Sequence, residues 1–307
     1  MKKILIIGNG KIAVDCASIV KKEHDLVGIV TEPRAYLSGK SLSKIPEWMQ
    51  PIEAHDVNKI ISVLRELRPD IIFSINNFQL LKDEILSIPP LGIINFHNGP
   101  LPRYAGLNVC SWAIINGETE HGVTWHYVDK GVDSGNIIAQ KKFPIGENEN
   151  ALHLIMKCIK EGIMLFSEIL PEVTTHRVKG ISQDTSQRTS YKKSELPNNG
   201  NVSFSWDGKR VYNFIRGLNF DPLENSFVRP HCILNNKRLY IDEMEVIKIA
   251  AAGGTCGRIV TFDDNKIVVQ VMDGQIALKR VRDEQQRLMS MSECVKSYNI
   301  QEGSQIT

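Results

Sequence analysis

Four short runs dominated by apolar residues, KILIIG (3–8), LVGIVT (26–31), DIIFSIN (70–76) and LGIINFH (91–97), alternate with segments of helical period. A strand exposed on one face alternates apolar and polar side chains. A strand apolar on both faces must be covered twice, as the strands of a parallel sheet are by the helices that connect them. After the first run, Ile12, Ala13, Cys16, Ala17, Ile19 and Val20 fall on one face of a helix. VNKIISVLREL (57–67), a short segment through Leu86, LNVCSWAIING (107–117) and residues 150–170 read as further helices. GVTWHYVD (122–129) and GNIIAQKKFPI (135–145) read as two more strands.

The pattern changes after about residue 180. SQDTSQRTSYKKSELPNNGN (182–201) is polar and broken by Pro197 and Gly200, which marks a connection. Beyond it, GKRVYNFIRGL (208–218) has a helical period, and β-like runs at 237–247, 257–262, 266–272 and 275–281 are separated by Gly and Asp turns. The expected architecture is α/β: a Rossmann-like, mostly parallel sheet with a smaller C-terminal β-barrel (OB-like) domain. The expected division is a catalytic domain over 1–181, a linker over 182–201 and the barrel over 202–307. A chain of 307 residues accommodates two such domains.

Charge and cysteine usage narrow the partners. The 37 basic and 35 acidic side chains nearly cancel, so no global field draws the protein to nucleic acid or to an anionic membrane. The six cysteines are scattered without a CxxC pair, which favours reduced thiols over a disulfide framework or a zinc site, and no metal is expected. Neither a leader pattern nor a run of ~18 apolar residues is present, so a cytoplasmic protein without a membrane partner is expected.

The fourth apolar run ends unusually, in NFHNGPLPRYAG (95–106). Side chains alternate along a strand, so Asn95 and His97 share a side with their Cα atoms about 6.6 Å apart, at ~3.3 Å per residue. Ligand crevices of parallel sheets open at the carboxyl ends of the strands, and the following glycines and prolines turn the chain there. The two side chains would otherwise cap neighbouring backbone. A second cluster, DKGVDSG (129–135), sets Asp129, Gly131, Asp133 and Gly135 two residues apart. A solvated turn is one alternative; a calcium loop needs more oxygen ligands than this stretch supplies. A carboxylate beside an imidazole would raise the histidine pKa and orient the ring. An Asn amide, a His and an Asp together provide an oxyanion donor, a proton carrier and its tuner. Without a Ser or Cys nucleophile beside Asn95 and His97 in NFHNGPLPRYAG, direct transfer between two substrates fits better than a covalent intermediate.

Other residues carry competing readings. Gly8, Gly10 and Ala13 form a Gly-x-Gly-x-x-Ala turn with Glu32 ending the next strand, an approximate dinucleotide fingerprint that leaves an NAD-dependent enzyme as an alternative. Tight strand-to-helix turns need glycine in any such fold. Trp125 and His126 read as packing or pocket wall. Arg103 and Tyr104 stand where a substrate contact is conceivable, and Asn213 and Arg216 read as domain-docking residues.

NFHNGPLPRYAG followed by INGETEHGVTWHYVDKGVDSGNII resembles the catalytic core of the 10-formyltetrahydrofolate-dependent formyltransferases, and NFIRGLNFDP resembles their C-terminal barrel module. That family includes enzymes acting on methionyl-tRNA, glycinamide ribonucleotide and amino sugars. The resemblance implies that Asn95, His97 and Asp133 are the catalytic trio. It implies 10-formyltetrahydrofolate as co-substrate, its pterin held largely by backbone at Phe78, Gln79, Leu80 and Leu81 and at Val128, Asp129 and Gly131. Departures bear on the acceptor. Gly99, Pro100, Leu101 and Pro102 stand where tRNA-acting relatives read Ser-Leu-Leu-Pro, and Ala105 where an Arg is common. TEPRAYLSGKSLSK (31–44) lacks their dense basic run, and residues 200–307 hold 14 basic against 13 acidic side chains. The expected acceptor is a small-molecule primary amine, a nucleotide-linked amino sugar, or an amino acid tethered to a carrier protein, and nucleic acid is not expected. Methionyl-tRNA is the alternative, a non-catalytic folate-binding module is a further one, and a homodimer is left open.

Overall fold

The computed structural model describes residues 1–33, 48–175, 178–223, 225, 227–249 and 254–307. Residues 34–44 of the loop read above for its charge lie outside them. The chain forms two compact units. One comprises Met1–Val109, Glu120–Pro144 and Ile155–Lys192, and the other Cys110–Thr119, Ile145–Leu154 and Lys193–Thr307.

The first unit opens with β1 (Lys3–Gly8), α1 (Gly10–Glu23), β2 (Asp25–Thr31) and β3 (Ile52–Glu53). A 3₁₀ turn at Val57–Lys59 precedes α2 (Ile61–Leu67), so the helix expected over 57–67 is broken near Ile60. The cause is local: the Asp56 carboxylate accepts from the Asn58 N–H at 3.0 Å and tightens the first turn. Along the chain follow β4 (Ile71–Ile75), α3 (Asp83–Leu86), β5 (Ile93–His97), β6 (Ala105–Gly106), α4 (Val109–Ile115), β7 (Glu120–Tyr127), β8 (Ile137–Pro144), α5 (Ala151–Val173) and β9 (Ser190–Tyr191), of which α4 from Cys110 and α5 up to Leu154 belong to the second unit.

Seven strands form one sheet in the order β3-β2-β1-β4-β5-β7-β8. The first five are parallel, as their apolar runs require, while β7 and β8 run antiparallel to their neighbours. Leu5, Ile7, Val30, Leu64, Ile72, Ile85 and Ile93 pack into one core cluster. Phe73, Phe96, Trp125 and Phe166 form an aromatic one with centroid separations of 4.9–6.0 Å. Trp125 donates its indole N–H to the Gly162 carbonyl at 3.0 Å, so it is packing, as read from the sequence. Each such ring buried contributes about 1.5–3 kcal/mol. Residues 182–201 contain a 3₁₀ turn at Thr185–Gln187, strand β9 and a 3₁₀ stretch at Pro197–Gly200. β9 pairs in parallel with β6 as a separate two-stranded sheet.

In the second unit α6 (Gly208–Gly217) precedes an antiparallel sheet of β10 (His231–Leu234), β11 (Lys237–Ile249), β12 (Ile259–Phe262), β13 (Ile267–Val271), β14 (Gly274–Arg282) and β15 (Leu288–Met289), followed by α7 (Met291–Ser297). β10 was not foreseen, because HCIL is too short to show a period. The sheet order β10-β11-β14-β13-β12 leaves β10 and β12 as edges, and residues 303–307 join them. Thr307 exchanges both backbone hydrogen bonds with Ile233, at 2.6 and 3.0 Å, while Ser304 and Gly303 bond to Ile259. The curled sheet thus closes toward a barrel around a core containing Phe214, Ile241, Val269, Leu278 and Ile306. Arg216 caps the carbonyls of Gly146 and Glu149 and is itself oriented by Asn213 Oδ1. None of the six cysteines forms a disulfide. No helix of the described residues is long and apolar enough to cross a membrane.

Candidate active site

Strand β5 sets Asn95 and His97 on one side of the sheet, and the β5–β7 register places them opposite His126 and Thr124. His97 is buried, with Nε2 2.6 Å from the Tyr104 carbonyl. A carbonyl only accepts, so Nε2 carries the proton and Nδ1 is the nitrogen left to gain one. The turn after His97 is built for this contact. A Cβ on Gly99 would lie 2.6 Å from the Tyr104 oxygen and 2.8 Å from His97 Nε2. Thr124 pins the turn by donating to the Gly99 carbonyl at 2.7 Å and accepting from the Leu101 N–H at 3.2 Å.

The two acids of the 129–135 loop separate into different tasks. Asp129 Oδ1 accepts from the Gly131 N–H at 3.0 Å and from the Ser134 hydroxyl at 2.6 Å, and so shapes the turn. The glycines are steric necessities: a Cβ on Gly131 would meet Ser134 Oγ at 2.1 Å, and one on Gly135 the Tyr127 carbonyl at 1.8 Å. Asp133, at a left-handed φ of 49°, directs its carboxylate inward. Oδ2 accepts from the Gly106 N–H at 2.8 Å and lies 3.5 Å from His97 Nδ1, and Oδ1 lies 3.6 Å from His126 Nε2.

His126 therefore belongs to the cluster and is more than pocket wall. Its Nδ1 is 2.8 Å from the Tyr127 carbonyl, which makes Nε2 the acceptor of the neutral ring. Nε2 lies 3.1 Å from Asn95 Nδ2, so one amide N–H of Asn95 is engaged and the second is left for a ligand. A strand-register prediction pairing β5 with β7 would have found this contact, but the antiparallel partner of Asn95 is not legible in either segment alone.

Burial dominates the electrostatics. It pushes the His97 imidazole below its ordinary pKa, against the Asp133 charge and the Tyr104 carbonyl, which pull it up. The expectation that a neighbouring carboxylate makes the net shift upward is thus corrected: Asp133 acts in the expected sense, and desolvation outweighs it. Burial would raise Asp133, yet the charge His97 carries once protonated, the His126 ring in its protonated form and the Gly106 N–H together hold its carboxyl well below the usual carboxylate range. The resting arrangement is an ionised Asp133 beside a neutral His97.

The residues expected to hold the co-substrate fall in two loops near this cluster. Phe78 and Leu80 are 68 % and 73 % exposed, and Leu81 packs partly on the core. Gln79 is tied down, its oxygen accepting from the Val57 N–H at 2.8 Å and its amide N donating to Glu32 Oε1 at 3.1 Å. Val128 bonds through its N–H to the Ile93 carbonyl, while Asp129 and Gly131 form the turn described above. An ion pair of 2.8 Å between Lys130 and Asp83 links the second loop to the helix that follows the first. Arg103 is exposed, whereas Tyr104 is buried and stacks on Tyr191.

The glycine turn after β1 is filled by side chain. Asn9 Oδ1 accepts from the Thr31 hydroxyl at 2.7 Å and from the Glu32 N–H at 3.0 Å, and Nδ2 donates to the Asn76 carbonyl at 3.2 Å. One amide thus joins the ends of β1, β2 and β4.

Residues 3–170 match the model of the formyl transferase family, and residues 196–299 that of the formyl transferase C-terminal domain. The chain is 29 % identical to the methionyl-tRNA formyltransferase of Clostridium acetobutylicum, covering 99 % of each, and 28 % identical to that of Clostridioides difficile, covering 98 % of each. In fold it is similar to an N-formyltransferase from Helicobacter canadensis solved with folinic acid and dTDP-3-aminofucose. There the TM-score is 0.73 at 22 % identity over 91 % of this chain and 99 % of that one. It is also similar to WlaRD, a sugar 3N-formyl transferase solved in the presence of dTDP and 5-N-formyl-THF, with a TM-score of 0.67 at 22 % identity over 91 % and 97 % of the chains.

Proposed function

The chain belongs to the formyl transferase family and is a folate-dependent N-formyltransferase, and on that footing we propose that Asn95, His97 and Asp133 carry the transfer of the formyl group from 10-formyltetrahydrofolate to a primary amine. The observation that carries the assignment is the single ionised carboxylate set between two imidazoles, one of which engages Asn95.

The neutral amine attacks the formyl carbon, and the carbonyl oxygen becomes an oxyanion. The unengaged N–H of Asn95 donates to it. His97 Nδ1, neutral at rest, takes the proton that the attacking nitrogen sheds, and the imidazolium so formed is stabilised by Asp133 and adds to the oxyanion's stabilisation. Collapse breaks the bond from carbon to N10 of the folate, and the proton passes to N10. The products are the formamide and tetrahydrofolate. The 78–81 and 128–133 loops would hold the pterin, largely through backbone groups.

For the acceptor we favour a nucleotide-linked amino sugar, with a carrier-bound aminoacyl group next. Ala105 is fully buried and paired with β9, so this position presents no basic group toward a polyanion. The near balance of charge in residues 200–307 also argues against a grip on several phosphates. Methionyl-tRNA is a second reading, favoured by the full-length likeness to the clostridial enzymes. Formyl transfer from 10-formyltetrahydrofolate to a dTDP-linked amino sugar, an aminoacyl carrier protein and methionyl-tRNA, compared at physiological salt, tests the choice. Efficient formylation of methionyl-tRNA with little transfer to the other two would overturn it.

A further inference from the structure

Asp133 adopts a left-handed conformation, uncommon for a non-glycine residue. Asp129 and Ser134 shape the turn without touching the backbone carbonyls around Asp133. Those carbonyls are taken by the segment that follows α5. Gln183 donates its two amide N–H groups to the carbonyls of Asp133 and Gly135, at 3.0 and 2.7 Å. Arg188 shares the Asp133 carbonyl and adds the one before it, with Nη1 to the Asp133 oxygen at 3.2 Å and Nη2 to the Val132 oxygen at 2.5 Å.

We propose that Gln183 and Arg188 are positioning residues for formyl transfer, holding the 132–135 backbone so that the Asp133 carboxylate stays between His97, His126 and the Gly106 N–H. The proposal rests on the reading of Asp133 given above. A flipped Gln183 amide would set its oxygen against two carbonyl oxygens, so one orientation is specified. A guanidinium reaches consecutive carbonyls with two parallel donors, which a lysine ammonium cannot reproduce. The segment is fastened at both ends. Ile181 exchanges two backbone bonds with Ile137, at 2.8 and 2.7 Å, and the Thr189 carbonyl accepts from the Ala105 N–H at 2.9 Å. Thr189 Oγ1 also accepts from the N–H of Tyr104, the residue whose carbonyl fixes the His97 tautomer. One strap thus holds the loop that carries Asp133, the Gly106 N–H that binds its carboxylate and the carbonyl that orients His97.

Arg188→Met and Gln183→Met remove the donors in a solvent-facing segment, Arg188→Lys keeps the charge, and Asp133→Asn is the reference. In the ligand-free protein, NMR titration of labelled histidine follows His97. Its upward pull comes from Asp133 and the Tyr104 carbonyl, and His126 and His121 push it down. The His97 midpoint is expected to move to lower pH in Arg188→Met and Gln183→Met. With the acceptor that the wild type formylates, kcat should fall ~10–100-fold at a KM for 10-formyltetrahydrofolate within about twofold of wild type, and Arg188→Lys should recover part of the loss. An unmoved His97 midpoint in folded Arg188→Met and Gln183→Met proteins would overturn the proposal. So would wild-type kcat in both variants while Asp133→Asn is inactive. Wild-type turnover by Asp133→Asn itself would instead remove the assigned role of Asp133 and, with it, the catalytic part of the proposal, whatever the strap variants do.

Discussion

His97 is held from opposite sides by the Tyr104 carbonyl and the Asp133 carboxylate, in a site dry enough that the ring is neutral at rest. His97→Ala or Asn95→Ala should lower turnover at least ~100-fold, as the loss of a proton carrier or an oxyanion donor does. Steady-state kinetics on folded protein check this, and near-normal turnover of Asn95→Ala would defeat the oxyanion assignment. A pH effect on stability follows from the same ring. Because folding depresses the His97 pKa, its contribution is complete above the ordinary imidazole value of about 6.5 and shrinks below it, where the unfolded chain binds a proton that the folded one refuses. Asp133 is also depressed, so its contribution persists until far more acid conditions. The Tm should therefore fall between pH 7 and 5, and His97→Gln should fall less over that window; equal slopes would show that other groups govern it. Asn95 and His97 were legible because alternation puts them on one side of a strand. His126 was not, since its place beside Asn95 depends on which strand lies next to β5 and in what register.

Among the elements, the two-residue strands β6 and β9 do more than their length suggests. Gly106 has φ of 90°, and a Cβ there would lie 2.2 Å from the Tyr191 carbonyl. Gly106→Ala should cost about 1–3 kcal/mol from the backbone conformation alone, and more if β6 parts from β9. Its N–H is also the Asp133 ligand, so activity should fall with stability. Urea denaturation and turnover measured together check this, and a stable, active Gly106→Ala would contradict the assigned packing. The long strands and helices were readable from period 2 and period 3.6. Residues 182–191 were readable only as polar, because their contacts run to backbone carbonyls and leave no pattern of apolar side chains. The break before α2 escaped for a related reason, since Asp56 acts through a single cap that the apolar period of 57–67 conceals.

Across the whole molecule, the second unit owes its closure to residues 303–307, whose Ile306 is buried in the barrel core. Ile306→Ala should destabilise that unit by about 2–5 kcal/mol. A loss under 1 kcal/mol in chemical denaturation followed by tryptophan fluorescence would show that the edges close without it. The barrel's runs were visible in the sequence, but its closing segment was not, because two isolated bridges carry no periodic signature. In the first unit, the sheet order turns back between β1 and β4, where doubly wound sheets open a crevice for nucleotides. Here the Asn9 amide fills the ends of those strands. For protein engineering this makes Asn9 a keystone: exchanging it releases the ends of β1, β2 and β4 together.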